Sequence, residues 1–404
     1  MTTKPMRSVV VVGGSLAGVT ACKTLREAGF EGRLILVGEE TSAPYDRPPL
    51  SKQILRGEWG FERAMLDFSP EDLEVEWLCG THAAGLDPTG PDVELADGRR
   101  FRADGVVIAC GAHPLWLSEA RGLAGCHVLR TMGDAEGLRD DLERRPGHVV
   151  VVGGGFIGCE VAASCRMLGL DVTVVEPLPA LMHRGLGSAA GAFVTEVFRA
   201  EGVRVVTGVG VESVFGSEAV EGVRMADGEL LEAEVVVLGL GVAPNTGWLQ
   251  DSGLVIGDGV VCDENLRAAE RVVACGDVAR WPSRRAGEAV RVEHWENAVT
   301  SARHAALALV GALEPGVAYD PVPWFWSDQF DMKIQMVGFA SDRHEESVLV
   351  ADPDRRRFLS VRSDGGIVTA AVGVGMSRVV AKLRPLIERG VDVTTVRRLA
   401  EDSA

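Results

Sequence analysis

No two cysteines in this 404-residue sequence stand at C-x-x-C spacing, and no cysteine–histidine group has the spacing of metal ligands. The eight cysteines (22, 79, 110, 126, 159, 165, 262 and 275) are scattered instead, so neither zinc nor a bound iron–sulfur cluster is expected. Most sit in apolar runs such as Val107-Ile-Ala-Cys110 and Val272-Val-Ala-Cys275, where cysteine serves as a small buried hydrophobe. No run reaches about 18 apolar residues, the length a membrane-spanning helix needs. The apolar stretch Val9 to Val12, after Lys4 and Arg7, ends in glycine and is far too short for a signal peptide. The cytoplasm is the expected compartment. Basic residues are in deficit, 41 against 58 acidic ones, for a formal charge of -17. That balance argues against nonspecific binding to nucleic acid or anionic lipid, and leaves a local basic patch as the only cationic docking site.

What the chain has is the composition of a multidomain globular enzyme, 46% hydrophobic and 25% charged, and a repeat. Ser8-Val-Val-Val-Val-Gly-Gly-Ser-Leu-Ala-Gly18 recurs as His148-Val-Val-Val-Val-Gly-Gly-Gly-Phe-Ile-Gly158. Each copy leads into an Ala-rich helical stretch (20–28 and 160–168), a glycine (Gly29, Gly169), and a β-branched strand closed by Glu39 or Glu176. Strand, tight turn, helix, strand forces a parallel sheet with a right-handed crossover. Each half then continues alike: a hairpin around Ala96-Asp-Gly98 and a buried strand into Cys110-Gly111, a turn at Ala226-Asp-Gly228 and a strand into Gly241. A long helix is expected from Ala298 to Gly311. From Pro323 the pattern changes to short strands, turns at 352–354 and 364–366, and a helical tail. The fold class is therefore α/β, with two Rossmann-type dinucleotide-binding domains and a smaller α+β C-terminal domain. The expected boundaries are 1–116 with 246–322, then 117–245, then 323–404.

Gly153-x-Gly155-x-x-Gly158 is the complete dinucleotide fingerprint: one glycine for the tight turn, one for approach of the pyrophosphate, one for helix–strand packing. The helix N-terminus then faces the diphosphate. Glu176 falls where a carboxylate accepts hydrogen bonds from an adenosine ribose 2'-OH and repels a 2'-phosphate, which predicts NADH over NADPH. The first loop, Gly13-Gly14-Ser15-Leu16-Ala17-Gly18, departs from the fingerprint at Ser15, a residue small enough for close approach at some cost. Its neighbours support it: Glu39 closes the next strand, and Gly276-Asp277 ends a strand whose turn could offer a carboxylate to a flavin's ribityl chain. A helix cap or plain turn is the other reading of Asp277.

Together these marks resemble the FAD-dependent NADH:ferredoxin reductases of the glutathione-reductase fold, the family of putidaredoxin reductase and the reductase components of aromatic-ring dioxygenases. The resemblance spans nearly the whole chain. It rests on Pro44-Tyr-Asp-Arg-Pro-Pro-Leu-Ser-Lys52, Leu129-Arg-Thr131, Gly153 to Glu160, Gly276-Asp277, Glu293-x-Trp-x-Asn-Ala298 and Pro323-Trp-Phe-Trp-Ser-Asp-Gln329. It implies FAD against Gly13, Gly14, Ser15, Ala17, Gly18, Glu39, Arg47, Pro48, Lys52, Ala109, Gly111, Arg130, Gly276, Asp277 and Trp295. It implies NADH against Gly153, Gly155, Phe156, Ile157, Gly158, Glu160, Glu176 and Gly241. Lys52, Glu160 and Trp326 are the implied catalytic residues, Lys52 as a cation near the flavin that pairs with Glu160. From the residues alone, Lys52 reads as a solvated side chain and Glu160 as a helix N-terminal acid balancing the macrodipole. Trp324 and Trp326 fall on one face of a strand, against the flavin or as a core pair. Cys110 stands where the family usually has threonine.

Disulfide reductases of this fold need a cysteine pair beside the flavin, and that region offers only Cys22. No cysteine lies between Tyr45 and Leu55, where a peroxidase would keep a lone reactive one. Electrons must then leave from the flavin edge, which suits one-electron transfer to a small, acidic 2Fe-2S ferredoxin serving a cytochrome P450 or a Rieske oxygenase. Arg355 to Arg357, or Arg378, Lys382 and Arg384, are the candidate docking charges. A rubredoxin reductase, and an NADH-binding redox sensor resembling apoptosis-inducing factor, are the alternatives.

Overall fold

The computed structural model describes residues 6–145, 147–341 and 343–402; Lys4 lies outside them. The chain groups into two compact units. One comprises Met1–Asp46, Ala64–His113 and Ala243–Pro323; the other comprises Arg47–Arg63, Pro114–Val242 and Trp324–Ala404.

In the first unit the apolar strand Ser8–Val12 pairs in parallel with both Arg33–Val37 and Gly105–Ile108. Val75–Leu78 and Val272–Ala274 extend the sheet in parallel, and Arg267–Ala269 closes it antiparallel. Central parallel strands are covered on both faces, which is why they read as unbroken Val/Ile/Leu runs. Val9, Val10, Val11, Val106, Val107 and Ile108 are all fully buried. The helix Leu16–Glu27 begins directly after the glycine loop, four residues before the expected start. The later helix runs from Trp295 to Val310 and stops at Gly311, whose left-handed φ of 71° suits a glycine C-cap. The expected hairpin around Gly98 forms between Asp92–Leu95 and Arg100–Arg102.

The second unit repeats the plan. His148–Val152 lies between Asp171–Glu176 and Val235–Leu238, with Arg204–Thr207 and Cys126–His127 at the edges, all parallel. Its C-terminal portion is a five-stranded antiparallel sheet in the order Trp324–Gln329, Met332–Gly338, Ile367–Val374, Arg357–Asp364, Glu345–Asp352, followed by helices Ser377–Glu388 and Val393–Glu401. Sequence boundaries set this portion apart as a third domain; one face of its sheet shares a core with the Rossmann half, while Leu359, Val361, Val380 and Leu383 are buried outside that shared core. Ile334, Phe358, Val372 and Val374 are buried together with Val149, Val151, Val194 and Phe198 of the Rossmann half. Residues 47–63, expected within the first nucleotide domain, group with the second unit for the same reason: Leu55 is part of that core.

Candidate functional site

The two glycine loops use their glycines differently, and the backbone says which are demanded by the fold. Gly13 and Gly153 have φ of 122° and 103°, a region side chains rarely enter. A Cβ on Gly18 would lie 1.8 Å from the Gly13 carbonyl oxygen, and one on Gly158 would lie 2.1 Å from that of Gly153. Those four positions are fixed by turn and by helix–strand contact. Gly155 is another matter. Its φ of -73° and ψ of -177° suit any residue, and a Cβ there would meet nothing within 4 Å. The protein leaves that space open, as a diphosphate at the helix N-terminus requires. Neither helix carries an acid in its first turn to occupy that positive end. Ser15, the departure in the first loop, has the same extended backbone as Gly155 (φ -106°, ψ -165°) and caps nothing with its hydroxyl, so the loop accepts it without strain.

Around each loop lie residues that sequence reasoning passed over. A Cβ on Gly153 would fall 2.3 Å from the Gly239 carbonyl oxygen, so Gly239 forms the close wall, whereas a Cβ on Gly241 would meet nothing within 4 Å; in the first unit the Ala109 carbonyl walls Gly13 in the same way at 2.2 Å. The internal repeat held that signal, since Ala109-Cys-Gly111 aligns with Gly239-Leu-Gly241. Gly14 and Gly38 abut similarly, which seats the end of the strand before Glu39 beside the loop. Glu39 itself is exposed. Glu176 is 8% exposed; its Oε2 accepts from the Gly154 N–H at 2.7 Å and its Oε1 from the Leu178 N–H at 2.9 Å. It is thus a brace of the loop as well as a candidate ribose acceptor, each oxygen keeping a second acceptor site.

Ile157 is 49% exposed beside the second loop, whereas Phe156 turns away to pack on Phe325, ring centroids 4.3 Å apart. On the opposite face of that strand, Trp324 and Trp326 stack at 5.0 Å and 22°, on one side as the alternation predicts.

In the first unit, the turn at Ala109 to Gly111 is tied down by Asn245. The Asn245 side-chain amide donates to the Cys110 carbonyl at 2.8 Å, and the Cys110 thiol points at the Asn245 carbonyl at 3.1 Å. Burial pushes that thiol up to about 11, so Cys110 acts here as a neutral, weak donor. Asp277 lies inside the short turn Gly276–Val278 and is not its cap, which falls at Cys275. The Gly276 N–H donates to the Ser301 hydroxyl at 2.8 Å. Asn297 of the Glu293-x-Trp-x-Asn-Ala298 stretch is a brace: its amide donates to the Val292 carbonyl and its Oδ1 accepts from the Tyr319 hydroxyl, both at 2.8 Å. The Trp295 indole N–H donates to Asp46 at 2.8 Å, with the residue still 38% exposed.

Arg47, Pro48, Lys52 and Arg130 lie in the second unit. Arg47 donates to the Arg130 carbonyl, and Leu129-Arg-Thr131 is the entry to helix Met132–Arg144, where Thr131 and Asp134 form a capping box. Leu50–Ile54 is a π-helical turn, a geometry concentrated at functional sites. It delivers Lys52 to Glu160: Nζ to Oε2 is 2.6 Å, with the two side chains 7% and 4% exposed. Lys52 is therefore no solvated lysine, and Glu160, fifth in the helix Phe156–Met167 and buried, is no first-turn acid. Of the candidate docking charges, Arg356 is engaged by Glu201 and Asp331, and Arg355 faces Asp352. Arg378 and Lys382 stand exposed on helix Ser377–Glu388. None of the described helices is long and apolar enough to cross a membrane.

Residues 7–302 match the family model described as pyridine nucleotide-disulphide oxidoreductase, and residues 324–404 match reductase C-terminal. The 5,5'-dehydrodivanillate O-demethylase ferredoxin reductase subunit of Sphingobium sp. is 36% identical over 408 residues, covering 99% of this chain and 97% of that one. Rhodocoxin reductase from Rhodococcus erythropolis is 37% identical over 341 residues, 83% and 78% of the two chains. Among solved structures, the covalent putidaredoxin reductase–putidaredoxin complex contains a chain matching with a TM-score of 0.91 at 30% identity, over 97% of this chain and 96% of that one.

Proposed function

From a chain that belongs to the pyridine nucleotide-disulphide oxidoreductase family and closes with a reductase C-terminal segment, we infer an FAD-dependent reductase that takes electrons from NADH and passes them to a ferredoxin. The ferredoxin is small, acidic and of the 2Fe-2S type, and it serves a cytochrome P450 or a Rieske oxygenase. The observation that carries this reading is likeness along 99% of the chain to a ferredoxin reductase subunit. The thiols agree with it. Cys22 is fully buried and pushed up to about 12 by burial, and Cys159, next to Glu160, is also buried and raised well above a thiol's usual range. Neither can supply the thiolate that disulfide chemistry requires. All eight cysteines are unpaired, which suits a cytoplasmic protein.

Bound flavin supplies the exchange between two-electron and one-electron transfer; the chain supplies the rest. In the first unit, Gly13 to Gly18 and Glu39 would hold the adenosine diphosphate portion of FAD, with Ala109, Gly111, Gly276, Asp277 and Trp295 as the further contacts. In the second, Gly153 to Gly158 would cradle the NADH diphosphate, Glu176 would take the ribose hydroxyls, and Lys52 with Glu160 would stand next to the nicotinamide end. Anaerobic stopped-flow tests the assignment: NADH should bleach the flavin, and a 2Fe-2S ferredoxin should reoxidise it faster than a rubredoxin does. Bleaching without fast reoxidation by any electron-transfer protein would overturn it.

Nucleotide preference follows from Glu176. A 2'-phosphate about 4 Å from its carboxylate costs about 1 kcal/mol in water and about 4 at an effective dielectric of 20, so NADH should be preferred by roughly tenfold to a thousandfold in kcat/KM. Equal efficiencies would refute the role. Because the same carboxylate holds the Gly154 N–H, Glu176→Ala should weaken NADH use without raising NADPH use: the loop loses its brace along with the repulsive charge.

A further inference from the structure

Glu160 receives more than its lysine. Its Oε2 also accepts from the Ser51 hydroxyl at 2.5 Å, and its Oε1 from the Ser327 hydroxyl at 2.6 Å. The donors arrive from two elements, the π-helical turn and the first strand of the C-terminal sheet, and Ser51, Lys52, Glu160 and Ser327 are 2%, 6%, 4% and 0% exposed. The direction of the Ser327 bond is set from behind. Gln329 Nε2 lies 3.0 Å from the Ser327 oxygen and 3.4 Å from the Met182 sulfur. With that nitrogen donating to its oxygen, the Ser327 hydroxyl directs its own proton at Glu160. The turn is pinned as well: one helical turn beyond Glu160, the Ser164 hydroxyl donates to the Ser51 carbonyl at 2.6 Å. Two carboxylate oxygens thus carry three donors, which fixes both the position and the rotation of the carboxylate plane. Lys52 alone would leave that plane free to turn about the bond to its side chain.

Resting on the function proposed above, we propose that Ser51 and Ser327 are positioning residues for NADH oxidation: they clamp the Glu160 carboxylate and, through it, hold the Lys52 ammonium in register. The C-terminal sheet thereby completes the catalytic pair of the NAD-binding half. Hydrogen bonds to a charged partner are the strong class, and losing one arm should be felt in the rate rather than in nucleotide affinity.

The test uses the FAD-loaded protein and its Ser327→Ala and Ser51→Ala variants, with NADH as the probe. Each variant should slow flavin bleaching at saturating NADH by about tenfold to a hundredfold. The NADH concentration for half-maximal rate should stay within roughly threefold, and the visible absorption band of the resting flavin should shift. Bleaching within roughly twofold of wild type and an unmoved band in both variants would overturn the proposal. So would a slowed rate that merely tracks loss of bound FAD. If Ser327→Ala does not fold, Ser51→Ala decides by the same criteria, since it removes the other arm. Failure of the wild-type protein to bleach with NADH would instead strike the underlying functional reading.

Discussion

Gly155→Ala is expected to leave the fold standing and weaken NADH binding by roughly tenfold to a hundredfold, whereas Gly158→Ala should cost the second unit its fold. Both changes add one methyl to the same loop. At Gly158 the methyl would sit 2.1 Å from the Gly153 carbonyl oxygen, so helix Phe156–Met167 could not approach the strand His148–Val152. That is a backbone collision, which no side-chain rotation relieves. At Gly155 the methyl enters open space from an ordinary extended conformation. Stability should fall there by no more than about 1 kcal/mol, the difference between glycine and alanine at a helix N-cap. What the methyl would meet is the diphosphate, at the about 1 to 3 kcal/mol of an overpacked contact. Thermal melting and NADH titration of the two variants separate the cases. Wild-type NADH affinity in Gly155→Ala would mean that the open space is not the diphosphate's. The first loop contains its own control: Ser15 already places a side chain at the corresponding position, so Ser15→Gly should change FAD retention little.

That contrast also marks how far the sequence could be read. Strands and loops of both Rossmann halves were legible because a buried parallel strand reads as an unbroken apolar run, and because a tight turn into a helix leaves few alternatives to glycine. The repeat made each half a check on the other, and it could have yielded Gly239 had the alignment with Ala109 been carried one residue further. Of the braces, Thr131 with Asp134 three residues on had a readable spacing; the others did not. Asn297, Ser301 and Ser164 are ordinary polar residues whose partners lie at distances along the chain that no periodicity encodes. How the segments group was hidden for a related reason. The pattern change at Pro323 is real, but burial of Ile334 and Phe358 with Val149 and Phe198 depends on which faces meet, and local composition carries no record of that. Lys52 and Glu160 illustrate both limits. Their residue types pointed to chemistry only through family resemblance, and the serines that hold Glu160 lay inside the quoted motifs with nothing to say what they bind.

Lys52→Met should destabilise the second unit more than the double variant Lys52→Met with Glu160→Gln, yet neither should be bleached by NADH at a useful rate. The pair is buried at 2.6 Å. Removing one partner from such a pair strands the other charge away from water, at about 3 to 5 kcal/mol. For a unit of this size that corresponds to a fall in melting temperature of about 6 to 20 °C. Glu160→Gln alone should cost a comparable amount, because the ammonium is then left without its counter-charge. With both charges gone, the glutamine amide can still accept from Ser51 or Ser327 through its oxygen, and methionine fills the volume of the lysine stem, so most of the lost stability should return. The non-additivity itself measures the coupling. If the pair were a purely structural device, catalysis would return with stability in the double variant; recovery of NADH-driven bleaching there would remove Lys52 and Glu160 from the catalytic machinery. Stability restored with bleaching still lost would place these two charges where the nicotinamide reacts, in a pair the fold could replace with neutral side chains and the chemistry could not.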